Sequence, residues 1–268
     1  MDFEIHYTEE QDAFRANLRS WLQDNAPKNL DIPLDNMPLG RKTQDILKDF
    51  RCKLGAMGWL APSWPKEWGG AELSPSLEEV FREEFRALNL PSIGNDQRWL
   101  QAMMIWGTPE QKQRYVPPAL RGETITWQLF VEAETGNDLA ATKTQAIRDG
   151  NYWHIRGKKD FISGRFDPDY LWTLAMTDVT RPPELNLGVF MIDAHLPGIT
   201  IKTQHLLLGK ERHVYLDVQV PTDCLLGDPF QGWEITQTTL GTERGDRMYR
   251  SSEEATIQSV LQYLRDRV

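Results

Sequence analysis

The sequence predicts an α+β protein with an N-terminal all-α domain, a middle β-barrel or sandwich domain and the start of a C-terminal helical bundle. Three observations support this order. Apolar residues recur at helical spacing up to about residue 122, short β-rich segments separated by turns follow, and helical periodicity returns near residue 231. The chain has 268 residues, 40% of them hydrophobic, which is enough for more than one core. The predicted domains are 1–122, 123–230 and 231–268.

The first helix is predicted to begin after Thr8. Thr8 and Gln11 have the spacing of a capping box, in which each side chain bonds to the other residue's backbone N–H group. Pro27 is expected to end the helix, because proline cannot continue it. Between these limits apolar residues recur at helical spacing, at Phe14, Leu18, Trp21 and Leu22.

Four further helices are predicted before the strands begin. The second lies near residues 42–57, and the segment 59–74, rich in Pro, Gly and Trp, predicts a structured and packed loop. A third helix starts after Ser74. The last two cover residues 92–106 and 108–120.

The middle region is predicted to be all-β and to end near Leu226. Its segments are short and β-rich: ITWQLFVEA, NYWHIRGKKDFIS, LWTLAMTD, LGVFMIDA, GITIKTQ and VYLDVQV. Two helical segments follow, QGWEITQTTLGTERG and SSEEATIQSVLQYLRDRV. The second has an apolar face that needs a covering partner, formed by Ile257, Val260, Leu261 and Leu264.

Charge and cysteine content narrow the function classes. The formal net charge is −9, which disfavours general binding to nucleic acid or to an anionic membrane. Cys52 and Cys224 show neither CxxC nor metal-ligand spacing, so we expect both to be reduced. The N-terminus lacks the apolar stretch of a signal peptide, and no segment has the length of a membrane span. These features predict a cytoplasmic protein without a structural metal.

Several motifs occur together and in order. WLAPSWPKEWGGAELS and GTPEQKQRYVPPALRGE lie in the helical part, and FVEAETGNDLAATKTQAIRDG and GKKDFISG lie in the β part. VPTDCLLGDPFQGW and TTLGTERG lead into the last helices. These stretches resemble motifs of the acyl-CoA dehydrogenases, and the resemblance runs from about residue 7 to residue 250. It implies that the C-terminal helical bundle of that family is truncated here.

The resemblance implies an FAD-dependent enzyme that makes a trans-α,β double bond in an acyl-CoA and passes electrons to an electron-transfer flavoprotein. Residues 127–138 would form the loop where the β domain meets flavin and acyl-CoA. The Phe161 ring would lie against the isoalloxazine, and Ser163 would hydrogen-bond near its N5 edge. The implied cofactor-binding residues are Leu129, Val131, Gly136, Asn137, Phe161 and Ser163.

Four positions depart from the motifs that carry the resemblance. Val131 replaces a Ser or Thr and removes a hydroxyl donor, and Ala133 replaces a proline. Asn137 replaces a serine, although its amide still offers hydrogen bonds and tolerates unusual backbone angles. Phe161 replaces a tryptophan, which keeps an aromatic ring. These departures bear on flavin affinity and on the placement of substrate.

The resemblance places the catalytic base at Glu243, within LGTERG, as in the family subset whose base lies in the first helix of the last domain. A carboxylate there would take the α-proton of the thioester. Arg244 matches a basic residue near that active site, and Asn137 and Arg244 are the implied substrate contacts. On residue types alone, the favoured explanation of Glu243 and Arg244 is that they are first-turn helix charges that interact with the helix dipole.

The other polar residues near the motifs have predicted roles that are structural or solvated. Glu132 and Asp138 are expected to hold the loop by turn hydrogen bonds. Four histidines lack ligand spacing and are expected to have solvated or cross-strand roles: His154, His195, His205 and His213. Four cationic residues are expected on a solvated β-face, with CoA phosphates as the alternative: Lys158, Lys159, Lys210 and Arg212.

Two functions remain open at this stage. The first is a dehydrogenase of fatty acid or steroid catabolism, working as a homo- or hetero-oligomer of related subunits. The second is a non-catalytic partner subunit of the same fold, suggested by the altered loop at Val131, Ala133 and Asn137 and by the short chain. Either way, the chain is expected to be a fragment of a longer protein or to be completed by another subunit.

Overall fold

The computed structural model describes residues 6–31, 39–88, 90–94, 97–162, 164–206 and 210–243. The helical part precedes the strands, as predicted, and one helix follows them. The α-helices in the described ranges are α1 (Glu9–Asn25), α2 (Arg41–Ala56), α3 (Pro75–Ala87), α4 (Arg98–Trp106), α5 (Pro109–Leu120) and α6 (Gly232–Glu243). The predicted final helix and its apolar face lie outside the described residues.

Local signals account for most helix boundaries. The predicted capping box of α1 is present, with Gln11 N donating to Thr8 Oγ1 at 3.2 Å and Thr8 N donating to Gln11 Oε1 at 2.8 Å. The predicted start of the fourth helix at residue 92 is wrong, because α4 begins at Arg98. Gly94 has a φ of 80°, and a Cβ there would lie 2.7 Å from the Phe166 ring. The chain therefore makes a tight turn before α4 rather than a helical one.

The strands in the described ranges are β1 (Thr126–Leu129), β2 (Gln145–Asp149), β3 (Tyr152–Ile162), β4 (Tyr170–Met176), β5 (Leu187–Asp193), β6 (Ile199–His205), β7 (Lys210–Pro221) and β8 (Leu225–Leu226). They form an eight-stranded mixed sheet with the order β6-β7-β3-β2-β4-β5-β8, and β1 pairs with β4 in parallel. Strands β2 and β8 are additional to the predicted segments, because each is short and one is only two residues long.

The hydrophobic core crosses the boundary between helices and strands. One cluster joins Leu18 and Phe50 of the helices to Trp127 and Ile155 of the sheet. A second joins residues of α4 and α5 to β4, β5 and Ile235 of α6. Burial of this apolar surface holds the two parts together. The division into domains at residues 122 and 230 stays a prediction.

Helix α6 is fixed against α4 and the sheet by threonine hydroxyl groups. Trp106 Nε1 donates to Thr238 Oγ1 at 3.2 Å, and Trp172 Nε1 donates to Thr239 Oγ1 at 3.3 Å. One turn further on, Thr242 Oγ1 donates to the side-chain oxygen of Gln101 at 2.5 Å. These bonds set the rotation of α6 about its own axis. The last of them is made by Thr242, the residue before Glu243.

Gln111 ties the helical part to the end of the sheet. Its side-chain Nε2 donates to the carbonyl oxygens of Asp223 and Leu225, at 2.8 and 2.7 Å. Its Oε1 accepts the Thr108 N–H at 2.9 Å, which caps α5. A single buried amide therefore satisfies backbone groups of a helix and of the segment containing β8.

We expect Gln111→Leu to lower the free energy of unfolding by roughly 2–3 kcal/mol, because it removes the side-chain partner of two part-buried carbonyl groups and of one N–H group. Denaturant unfolding measures this change. Gln113→Leu is the matched control, since Gln113 is exposed on the same helix. Equal stability of the two variants would contradict the role given to Gln111.

Candidate functional site

The strand pair β3–β7 contains a β-bulge at the position of the predicted aromatic contact. Lys159 pairs with Val214 and Ile162 pairs with Arg212, so Asp160 and Phe161 together oppose one residue of β7. Phe161 has a φ of 60°, which is rare for a bulky residue, and its side chain is 53% exposed. The bulge therefore turns an aromatic ring outward at a strained position.

The predicted loop begins beside this bulge. Asp160 N donates to Val131 O at 2.9 Å, and Ala133 N donates to Asp160 Oδ2 at 2.9 Å. The loop then turns, with Thr135 N and Gly136 N donating to Glu132 O at 3.2 and 2.8 Å. Phe161 is thus held next to the start of the loop through its neighbour Asp160.

Glu132 holds the loop from inside the protein. Its carboxylate is buried and accepts hydrogen bonds from Lys143 N at 2.7 Å, Thr144 N at 2.9 Å and Lys159 Nζ at 2.8 Å. Lys159 Nζ also donates to Phe130 O at 3.1 Å. The predicted structural role of Glu132 is confirmed, and it is carried by two backbone N–H groups that follow the loop and by the Lys159 side chain.

Burial and pairing act against each other in this ion pair. Burial alone would raise the pKa of Glu132, but the Lys159 ammonium and the hydrogen bonds from Lys159 and Thr144 outweigh it, so the pKa of the carboxyl is lowered. Burial lowers the pKa of Lys159 to about 8, with Glu132 opposing that shift. Both groups are therefore ionised at neutral pH.

The cationic residues depart from their predicted place on a solvated face. Lys159 is fully buried in its ion pair, and Arg212 is buried with its guanidinium carbon 5.2 Å from the centroid of the Trp127 ring. Burial lowers the pKa of Arg212. The solvated-face prediction is wrong for both, because the side chains of Lys159 and Arg212 point to the inner face of the sheet. Lys158 keeps partial exposure, and the Lys210 side chain lies outside the described part.

The implied cofactor-binding residues differ in how far their side chains are exposed. The Leu129 side chain is fully buried in the core, so only its backbone is left to face a ligand. Val131 and Gly136 are partly exposed, and Asn137 is exposed at the loop tip together with Asp138, whose backbone N donates to Thr135 O at 3.1 Å. Ser163 lies outside the described residues.

Glu243 is the last described residue of α6, whose first turn begins at Gly232 and carries Glu234. The alternative explanation of Glu243 as a first-turn charge is therefore wrong. The side chain of Glu243 and all of Arg244 lie outside the described part. The backbone of Glu243 directly follows Thr242 on the helix that Trp106, Trp172 and Gln101 contact.

A histidine near the bulge was assigned only a generic role from sequence. His213 Nδ1 lies 2.6 Å from Asp160 Oδ1, and its Nε2 lies 2.8 Å from Gln204 Oε1. The expected cross-strand role is confirmed here and also for His154, which pairs with Asp217 at 2.7 Å. Asp160 itself was overlooked, because its partners Ala133 and His213 are distant in sequence and no local pattern signals them.

The described ranges also bear on metal binding and on membrane insertion. No group of three or more His, Cys, Asp or Glu side chains there has the arrangement of a metal site. No helix in those ranges combines the length and the apolar character that crossing a bilayer requires. Cys52 and Cys224 are both free thiols.

Comparison with known proteins places this arrangement in a family. Residues 8–123 match the model of the acyl-CoA dehydrogenase N-terminal domain. Acyl-CoA dehydrogenase FadE29 of Mycobacterium tuberculosis is 28% identical over 251 residues, covering 90% of this chain and 62% of FadE29. FadE34 of the same organism is 34% identical over 196 residues, covering 71% of this chain and 27% of FadE34.

Solved structures extend the similarity to the fold. The Tcur3481–Tcur3483 steroid ACAD is 28% identical with a TM-score of 0.73, covering 99% of this chain and 69% of that chain. An acyl-CoA dehydrogenase from Geobacillus kaustophilus is 26% identical with a TM-score of 0.70, covering 89% of this chain and 63% of that chain. The chain spans about three fifths of the length of FadE29. Taken with the outward aromatic ring and the anchored loop, these similarities lead to one conclusion: the chain belongs to the acyl-CoA dehydrogenase family.

Proposed function

We propose that this chain carries the flavin-binding and proton-abstracting parts of an FAD-dependent acyl-CoA dehydrogenase. The observation that carries the proposal is the exposed Phe161 ring on a strained bulge, joined through Asp160 to the loop at residues 131–138. Strained backbone persists where surrounding contacts enforce it, and such positions cluster at ligand sites. Family membership supplies the class of reaction.

The residues present are suited to a flat, partly polar cofactor. Phe161 offers an exposed aromatic face to one side of an isoalloxazine. The loop beside it offers backbone groups and the Asn137 amide, which can bond to flavin heteroatoms or to a phosphate. When bound, the flavin would supply the acceptor for the hydride that leaves the β-carbon of the acyl group.

The chain's own contribution to the chemistry is a carboxylate base at the end of α6. Glu243 would take the α-proton of the thioester, and closure of the site around it would exclude water and raise its basicity. The hydroxyl bonds of Thr238, Thr239 and Thr242 would hold the helix so that this residue meets the substrate. Arg244 and Asn137 are proposed as substrate contacts.

The proposed substrate is an acyl-CoA, and the proposed electron acceptor is an electron-transfer flavoprotein. A steroid-type acyl group is the first class to test, because the Tcur3481–Tcur3483 enzyme is described as a steroid ACAD. That protein also pairs two different polypeptides. A hetero-oligomer of related subunits in the cytoplasm is therefore the proposed assembly, and the division of the chain at residues 122 and 230 is proposed with it.

FAD binding tests the proposal directly. We expect the purified protein, titrated with FAD, to carry a resolved flavin absorption band through gel filtration. Phe161→Ala should weaken FAD affinity by about tenfold through loss of aromatic stacking. Tyr152→Ala is the matched control, since Tyr152 is 47% exposed at the opposite end of the same strand. Absence of a band with excess FAD, or equal affinity of both variants, would refute the assignment.

A non-catalytic partner subunit is the second candidate. It is favoured by Val131, Ala133 and Asn137, which replace a hydroxyl donor, a proline and a serine in the loop. This candidate predicts a folded protein that binds no FAD by itself but restores flavin binding or turnover when mixed with a related subunit. Gel filtration of the mixture distinguishes it from the first candidate.

A further inference from the structure

We infer that Asp160 is a positioning residue that pins the loop at residues 131–138 through the Ala133 N–H group and is itself held by His213 and Lys158. This inference deepens the proposed function, on which its consequence for flavin binding rests. Two contacts come from distant parts of the chain, Ala133 N at 2.9 Å and His213 Nδ1 at 2.6 Å, and the third, Lys158 Nζ at 2.6 Å, comes from the same strand as Asp160.

The carboxylate of Asp160 is placed to do this because the bulge brings it to the loop. Its side chain is only 2% exposed, so each hydrogen bond forms largely out of water. Burial alone would raise its pKa, but the bonds from Lys158, the Ala133 N–H group and His213 outweigh burial and lower it. Asp160 is therefore an ionised acceptor at neutral pH. In the bond between the two side chains, His213 Nδ1 is the donor.

The need for this acceptor arises from Ala133 itself. Ala133 occupies the second position of the turn that Glu132 O closes with Thr135 N. Proline is the favoured residue at that position of a turn, because its ring presets the backbone angle φ. Proline also has no backbone N–H group. With alanine there, the backbone has more freedom and an extra donor. The Asp160 carboxylate accepts a hydrogen bond from this extra N–H group, and the bond restrains the backbone of the turn.

The second support lies behind Asp160. The Gln204 side-chain amide lies 2.8 Å from His213 Nε2, so a polar side chain contacts the histidine ring at each nitrogen. A series of contacts, Gln204 to His213 to Asp160 to Ala133, thus links the edge strand β6 to the loop across β7 and β3. Phe161 follows Asp160 directly, so the same anchor sets the loop and the exposed ring relative to each other.

The test is a double-mutant cycle with Asp160→Ala and Ala133→Pro. Asp160→Ala should raise amide hydrogen exchange across residues 131–138 and weaken FAD affinity by about tenfold, as expected for loss of a hydrogen bond to a charged group. In the Ala133→Pro background, Asp160→Ala should change both readouts at most about twofold, because proline has no N–H group to pair. Asp160→Asn keeps an acceptor oxygen, so its loop hydrogen exchange and its FAD affinity should lie between those of the wild type and those of Asp160→Ala.

Asp217→Ala is the matched control. Asp217 forms a similar cross-strand pair with His154 on the same sheet but is exposed and does not touch the loop. It should leave loop exchange and FAD affinity unchanged. If Asp160→Ala does not fold, Asp160→Asn alone decides the question by loop exchange.

The two readouts separate the inference from the proposed function. Unchanged loop exchange in Asp160→Ala, or an equal effect of Asp160→Ala with alanine and with proline at position 133, would overturn the positioning role. Raised exchange in a protein that never binds FAD would support the anchor and refute the flavin assignment instead.

Discussion

Replacing Glu243 by glutamine is expected to reduce acyl-CoA dehydrogenation by about 10²–10⁴-fold, the range that a general base contributes. Glutamine keeps the shape of the side chain but cannot accept the α-proton. Flavin should stay bound, because the proposed cofactor contacts lie on β3 and on the loop at residues 131–138. The measurement is anaerobic bleaching of the flavin band by a panel of acyl-CoA thioesters, including steroid-type ones.

Glu234→Gln is the matched control for this prediction. Glu234 lies on the same helix, in its first turn, and is exposed. The flavin of the Glu234→Gln variant should bleach at the wild-type rate. Unchanged bleaching in Glu243→Gln would remove Glu243 as the base. Loss of flavin from that variant would show that its effect is structural.

Replacing Lys159 by methionine is expected to lower the free energy of unfolding by about 3–5 kcal/mol, the cost of leaving one partner of a buried ion pair uncompensated. Methionine fills much of the same space, so the loss is chiefly electrostatic. Glu132 keeps its two backbone donors, Lys143 N and Thr144 N, which favours the lower end of that range. Urea unfolding followed by circular dichroism measures the change.

Acid should reduce this effect. The lowered pKa of Glu132 gives stability that is present above the ordinary pKa of a glutamate and is lost as the pH falls through the lowered value. Without Lys159 the pKa of Glu132 rises. The difference in free energy of unfolding between the wild type and Lys159→Met should therefore narrow as the pH falls through the lowered pKa of Glu132.

Arg121→Met is the control for the ion-pair prediction. Arg121 also pairs with a glutamate, Glu123, at 2.7 Å, but its side chain is 50% exposed. A surface pair of this kind contributes at most about 1 kcal/mol. If Lys159→Met and Arg121→Met unfold at the same urea concentration, the buried pair does not support the fold as argued.

Most secondary structure was accessible from sequence because its signals are local. The capping box of α1, the proline at the start of α5 and the serine before α3 act within a few residues of where each helix begins. Strands β3, β4 and β5 were identified from continuous β-rich runs. The start of α4 was wrong because the turn at Gly94 is set by contacts with Phe166 and Arg51, which no local pattern contains.

The candidate site was only partly accessible. Ordered motifs located the loop, Phe161 and Glu243, and the structure adds that Phe161 lies on a bulge and points outward. Burial of Lys159 and Arg212 was missed, because a cation in a strand is ordinarily solvated and nothing nearby in sequence marks the exception. The partners that make burial possible, Glu132 for Lys159 and the Trp127 ring for Arg212, lie on other strands and loops.

The residues of this chain specify on their own the order of helices and strands, the caps, the turns and the family motifs, since each depends on near neighbours. Tertiary structure alone decides which charges are buried and what Asp160 does. His213 is 53 residues from Asp160 in sequence, and Ala133 is 27 residues from it. Only the pairing of β3 with β7, and the bulge within it, brings the three groups within hydrogen-bonding distance.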